Sequence, residues 1–268
     1  MSFPFRLPRP SGALVVALSP VAALDILFAG MAVLLAASYV MTASYGLTIV
    51  GLSFMITTAL SPLAVWGWRS QVTRAELEPE LAELRRRHAG DRQRLASDTA
   101  ALFKDHGSSP WTGCLPSLVP AAVYLSAYEV IRGLTHRVSG SALLHPRYLP
   151  HGSLLFHSLV SSTSMSFWGV DLARTGAAAL QLSPPAAGLY LALVVITVGA
   201  GVWQQHLVRS ALPRPGGPTP VAAQRVVTFL PALIAVWGLA LPLAVTLYYA
   251  STSIARLVQQ WIVVSGHL

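Results

Sequence analysis

The chain predicts an all-α membrane protein: a five-span helical bundle interrupted by an antiparallel helical hairpin that stands in water on the cytoplasmic side. Three observations carry that prediction. Of the 268 residues, 54% are hydrophobic and only 10% are charged, with a mean hydropathy of +0.58; an ordinary soluble domain is about a quarter charged. Uncharged runs close to twenty residues long recur along the chain, the length that crosses a hydrocarbon core about 30 Å thick as a helix. Most of the charge is gathered in one stretch, Arg69 to Pro110, which holds eight basic and seven acidic side chains.

Taken in order, residues 1–44 are a tail followed by an apolar stretch from Gly12 to Thr42. Arg6 and Arg9 ahead of an apolar run resemble a signal or anchor segment. Pro20 and Asp25 interrupt that run, so two readings stand: a spanning helix, or a helix in the interface with Leu24, Phe28, Met31 and Leu35 toward lipid. Residues 45–68 form span 1, whose Trp66 and Trp68 sit beside Arg69 as interfacial aromatics next to positive charge. Residues 69–112 form the hairpin. Leu77, Leu81 and Leu84 give its first half an apolar stripe, Leu95 and Leu102 its second. Gly90 suits a helix stop and Asp91 a helix start between them. Paired stripes argue against a solvated loop without a role.

Residues 113–131 are span 2 and 132–185 an external loop, in which the apolar piece Leu154 to Trp168 is too broken by Ser and Thr to span. Residues 186–207 are span 3, and 208–225 a cytoplasmic loop with a turn-forming PRPGGPTP segment. Residues 226–241 and 242–263 are spans 4 and 5, antiparallel because they meet at Pro242, and 264–268 are a tail. Neither inverted repeats nor broken helices in matching halves are evident, which argues against a small-solute transporter.

Placing 69–110, 206–225 and the C-terminus inside puts 12 of the 18 basic residues there, so the N-terminus lies outside. The net charge of +8 and pI near 10.2 then reflect orientation and anionic lipid head groups, with no specific nucleic-acid partner required. The single cysteine, Cys114, excludes an internal disulfide and a multi-cysteine metal cluster.

Polar residues inside spans need a reason. Ser53, Thr57 and Ser61 fall four apart on one face of span 1, with Thr58 bordering them. Ser117, Tyr124 and Tyr128 share a face of span 2; Tyr190, Thr197 and Gln204 share one of span 3, with Gln205 beside them. Thr246, Tyr249, Ser253, Arg256 and Gln260 make the longest stripe, on span 5. Four such faces point to a shared wet cavity. Any single Ser or Thr is explained as well by a bond to its own backbone; Arg256 and the glutamines are not. Catalytic constellations are missing: no HExxH, no glycine-rich phosphate loop, no Gly-x-Ser-x-Gly. The chain therefore reads as a non-enzyme without cofactor or metal. His145, His151 and His157 read as surface histidines of a loop, and Glu129 and Arg132 as a local pair.

The segments ALSPL, LEPELAELRRRHAGD, ALFKDHGSSPWTGCLP, AYEVIRG, FWGVDLA, VWQQHL and LPLAVTLYYASTSIARLVQQW follow one another across residues 20–263. In that order they resemble the YidC/Oxa/Alb membrane protein insertases. The resemblance implies five spans, a cytoplasmic hairpin, an N-terminal peripheral helix on the outer face, and a hydrophilic groove open to cytoplasm and lipid. It implies a bacterial plasma-membrane protein that inserts and folds client transmembrane segments. Clients would slide past Tyr248 and Tyr249. Arg85, Arg86, Arg87, Arg92 and Arg94 would dock the ribosome, the signal recognition particle receptor or the secretory channel. Three positions depart from the family pattern. Thr57 stands where the family has a groove arginine, Pro120 where it has a glutamine, and Ser253 where it has an asparagine. Arg256 either supplies the missing positive charge or snorkels to cytoplasmic head groups. A relative that has lost insertion and only binds membrane proteins is the second functional reading.

Overall fold

The computed structural model describes residues 20–106, 115–138, 142–211 and 236–265. It is predominantly helical. Most of the predicted fourth span, residues 226–235, and the loop before it lie outside these segments, as does Cys114.

Helix α1 (Pro20–Thr42) is continuous. Pro20 occupies its first turn, where a missing N–H costs nothing, and Asp25 does not break it. The sequence placed Leu24, Phe28, Met31 and Leu35 toward lipid. Leu24 is exposed as expected, but the rest of that placement is corrected: Met31 and Leu35 are buried in the bundle and Phe28 packs against it. The exposed face continues through Ile26, Val33, Val40 and Met41. Residues 24–42 are long and apolar enough to cross a membrane. Phe28 also stacks on Tyr148 at 5.2 Å, and α1 packs on the short helix 154–160.

Ala43, at φ 48°, and extended Ser44 turn the chain into helix α2 (Tyr45–Ala59), and the Thr42 and Thr48 hydroxyls staple that turn at 2.8 Å. The sequence predicts a single span over 45–68. The chain instead bends by 53° at Leu60, and helix α3 (Ser61–Arg87) runs unbroken from there into the charged stretch. Pro62 explains the bend: it has no N–H for the Thr58 carbonyl.

Asp91 caps helix α4 (Arg92–Asp105), its carboxylate accepting from the Gln93 and Arg94 N–H groups at 3.1 and 3.0 Å. Leu77 and Leu81 of α3 bury against Phe103 and Leu102 of α4. His88 meets Asp98 at 2.9 Å nearer the connection, so the two helices run antiparallel.

Helix α5 (Leu115–Leu134) follows. Next comes a cap made of helix α6 (Leu154–Val160), the two-residue strands β1 (Ser166–Phe167) and β2 (Val170–Asp171), and helix α7 (Gly176–Leu182). Trp168 and Gly169, both at positive φ, form the hairpin turn, and Phe167 presses on Gly46 of α2. Helices α8 (Pro184–Ala211) and α9 (Leu243–Ser265) complete the bundle.

Helix α9 is central, packing on α8, α2, α5 and α3. Its first N–H groups, orphans in any helix, donate to the cap: Leu243 to the Arg174 carbonyl at 2.8 Å and Ala244 to the Leu172 carbonyl at 2.9 Å. Asp171 braces that loop by accepting from the Met165 and Ala173 N–H groups at 2.9 and 3.0 Å. The bundle is thus tied shut at its cap end. Among the described residues two helices are long and apolar enough to cross a membrane, α1 and α8, or three if the bent pair of α2 and α3 counts as one. Helices α5 and α9 carry Glu129 and Arg132, and Arg256, Gln259 and Gln260, which reduce their apolarity.

Candidate functional site

At the end of the bundle away from the cap, two adjoining cavities open between the helices. The smaller, about 430 Å³, lies between the start of α3, α5 and α9 and is lined by Leu63, Gly67, Trp68, Gln71, Pro120 and Gln259 among others. The larger, about 650 Å³, lies between α5, α8 and α9. Tyr124, Gln204, Arg256 and Gln260 line both, so the two are one groove with a common polar partition.

The structure brings together most of the residues picked from the stripes. Tyr124, Tyr128, Thr197, Gln204, Gln205, Tyr248, Tyr249, Ser253 and Arg256 all line the larger cavity. Others stand elsewhere. Ser53 and Thr57 are buried behind the groove wall, donating to the Ile49 and Ser53 carbonyls at 2.9 and 2.8 Å. Thr246 is buried on the Pro242 carbonyl, and Thr58 faces outward. Ser61 sits at the bend. The bland reading of serine and threonine therefore describes α2, where hydroxyls satisfy their own helix. Arg85, Arg86, Arg87, Arg92 and Arg94 are exposed at the tip of the α3–α4 pair, with Arg85 bonded to Glu78 at 2.8 Å and Arg94 near Asp91 at 3.4 Å. Glu129 and Arg132 pair at 3.6 Å, as their spacing implies.

Arg256 is the chemical centre of the groove. Its guanidinium carbon lies 3.8 Å from the centroid of the Tyr124 ring, a cation–π contact. That ring is held on two sides: the Tyr124 hydroxyl donates to Thr57 Oγ1 at 3.3 Å, and the Tyr248 hydroxyl donates to the Tyr124 carbonyl at 2.9 Å. Arg256 stands thirteen residues into α9, so it lies about 20 Å from the cap end along the helix axis. All ten Asp and Glu side chains of the chain lie within the described residues, and none lines either cavity. Arg256 and Arg209 are the charged side chains among the described lining residues.

Gln259, Thr252 and Arg209 also belong to the site and escaped the sequence reading. Gln259 Nε2 donates to the Thr57 carbonyl at 3.0 Å and to Ser61 Oγ at 2.8 Å, bridging the two sides of the bend. Its place three residues after Arg256 was a usable signal. Thr252 lines the larger cavity at 5% exposure. Arg209 lines the same cavity from the end of α8, where the sequence had it as a loop charge. Among the described residues no group of His, Cys, Asp or Glu is placed to hold a metal ion. Nor does a nucleophile with an adjacent base line the groove. What the arrangement can do is hydrate and electrostatically favour polar segments part-way along the bundle.

Comparison with known proteins bears on the family of the chain. The profile of the family described as 60Kd inner membrane protein matches residues 36–267. The membrane protein insertase YidC of Nitratidesulfovibrio vulgaris is 26% identical over 218 residues, 81% of this chain and 34% of that protein. YidC of Pelagibacter ubique is 27% identical over 220 residues, 82% of this chain and 35% of that one. The chloroplastic inner membrane ALBINO3-like protein 2 of Chlamydomonas reinhardtii is 27% identical over 220 residues, 81% of this chain and 49% of its own. The chain thus spans between a third and a half of the length of these relatives.

Proposed function

We propose, from the premise that this chain belongs to the YidC/Oxa/Alb family of membrane proteins, that it inserts and folds client transmembrane segments through the groove around Arg256. The observation that carries this reading is a positively charged cavity with no Asp or Glu among its described lining residues, opening at the far end of a bundle tied shut at the cap end. A client that must drag polar or acidic residues across a bilayer meets a barrier of about 2.5–3.5 kcal/mol per charge even on permissive scales. A groove hydrated from one side shortens that path, and Arg256 offers an acidic residue a partner on the way. Its seat on Tyr124, whose hydroxyl reaches Thr57, supports a groove charge over a snorkelling one, because the guanidinium stays close to the position where the family carries its arginine.

In this reading the chain crosses a bacterial plasma membrane five times with its N-terminus outside, and the α3–α4 pair stands in the cytoplasm. Helix α1 lies along the outer face, which its contacts with the cap favour. Clients pass Tyr248 and Tyr249 with their apolar flank toward lipid. The arginines at the tip of α3–α4 meet the ribosome, the signal recognition particle receptor, the secretory channel or anionic lipid.

Complementation of a strain depleted of its resident insertase is the test. The chain restores insertion of a client with an acidic translocated tail, and Arg256→Gln lowers it about tenfold, the factor that a charge-assisted contact of ~1.5 kcal/mol supplies. Full insertion by Arg256→Gln would remove Arg256 from the mechanism. The substitution at Thr57 specifically favours a second reading, a relative that binds membrane proteins without inserting them. No complementation, with client still captured by crosslinking at Tyr249, would select it.

A further inference from the structure

Trp168 stands at the tip of the β1–β2 hairpin with 82% of its surface exposed, more than any other described tryptophan. Its backbone sits at φ 49°, a left-handed conformation that glycine adopts freely and a side chain strains. The chain therefore carries a backbone cost together with a large apolar ring left outside the core. Burial within the fold offsets neither, since the ring that Trp168 meets is its own neighbour Phe167, stacked at 4.8 Å. Phe167 is in turn seated on Gly46 of α2, so the indole is held at a fixed height on the bundle.

That height is the cap end. Gly46 belongs to the first turn of α2, and the Leu172 carbonyl, just after β2, accepts from Ala244 at the start of α9. Exposed Trp237 stands shortly before α9 at the same end. Toward the other end, exposed Trp203 comes about 28 Å along α8 and exposed Trp261 about 27 Å along α9. The two sets of indoles are thus separated by close to the thickness of a hydrocarbon core, about 30 Å, and tryptophan favours the two boundaries of that core. The charge of the cap narrows the partner further. Residues 132–183 hold Arg132, Arg137, Arg147 and Arg174 against the single acid Asp171. Such a surface complements lipid phosphates and would repel a second copy of itself.

We propose that Trp168 is an interfacial anchor, its indole seated at the glycerol and phosphate level of the leaflet on the cap side. The occupant of this exposed ring is the lipid surface, and the strained hairpin tip is the device that presents it. The inference rests on the chain being a membrane protein, and it stands whether or not the chain inserts clients and whichever way the bundle is oriented.

The test is fluorine NMR of the full chain, labelled with fluorotryptophan and held in phospholipid nanodiscs. The Trp168 signal is assigned by its loss in Trp168→Phe, with the other indole signals unmoved as the check that the fold is intact. A nitroxide carried on a lipid acyl chain near its glycerol end is expected to broaden the Trp168 signal beyond detection. A nitroxide near the methyl end of the chain, and a gadolinium chelate dissolved in the water, are expected to leave it visible. Loss of the signal to the chelate but to neither lipid would put the ring in water and overturn the proposal. Loss to the methyl-end nitroxide alone would overturn it by placing the ring in the hydrocarbon. A signal insensitive to all three probes would overturn it by showing the ring covered by protein. Failed complementation with the expected broadening intact would strike the insertase reading alone.

Discussion

Gly46 has no room for a side chain. A Cβ built there falls 2.3 Å from the Phe167 ring, so the ring sits directly on the backbone of α2. Gly46→Val forces the ring off, loosens the β1–β2 hairpin and lowers thermal stability in detergent by about 1–3 kcal/mol, the usual range for overpacking. An unchanged melting curve would show that the hairpin does not depend on this contact. Nothing in the sequence links these two residues, because a packing contact between distant segments leaves no periodic trace. Arg256 was legible for the opposite reason: a charge inside an apolar run is costly enough to stand out alone. Ser53 and Thr57 are buried rather than among the cavity-lining residues, although Thr57 meets the Tyr124 hydroxyl and Gln259. Their spacing matches a groove face, but each hydroxyl bonds the carbonyl four residues back, and spacing cannot tell that from exposure to water.

Among the elements, the bend between α2 and α3 matters most to the groove, since α3 forms one wall of the smaller cavity. Pro62 creates the bend and Gln259 holds its angle from across the groove. Gln259→Leu leaves the Thr57 carbonyl and the Ser61 hydroxyl without their partner but keeps Pro62. The helices stay bent while their angle becomes variable. Spin labels at Leu47 and Glu80, both exposed, should report a wider distance distribution than in the parent; an identical distribution would deny Gln259 this role. Hydropathy concealed the bend, because residues 45–68 remain apolar through it and belt aromatics mark the expected end at Trp66 and Trp68. Pro62 was the signal, yet near the start of a helix proline is permitted, so alone it does not announce a break. The α3–α4 pair was legible because leucine stripes and a Gly–Asp break agree, although Phe103 is the residue that α4 buries most deeply.

For the molecule as a whole, one end is tied by backbone bonds and the other is open and positive. The cap carbonyls of Leu172 and Arg174 receive the start of α9, while Arg256, Gln259 and Gln260 emerge near its other end. Composition made the membrane class legible, and the joint order of short motifs made the family legible. The lining of the groove was partly legible, since α5, α8 and α9 present their polar faces to it as spaced and α2 does not.

Accessibility of single cysteines to a membrane-impermeant thiol reagent tests the central claim most directly, in a chain carrying C114S. Ser253→Cys and Gln204→Cys should label when the α3–α4 side is exposed to the reagent and stay unlabelled when only the cap side is, with buried Thr246→Cys silent from both. Labelling of Ser253→Cys from the cap side, or from neither side, would contradict a groove that water enters only from the end opposite the cap.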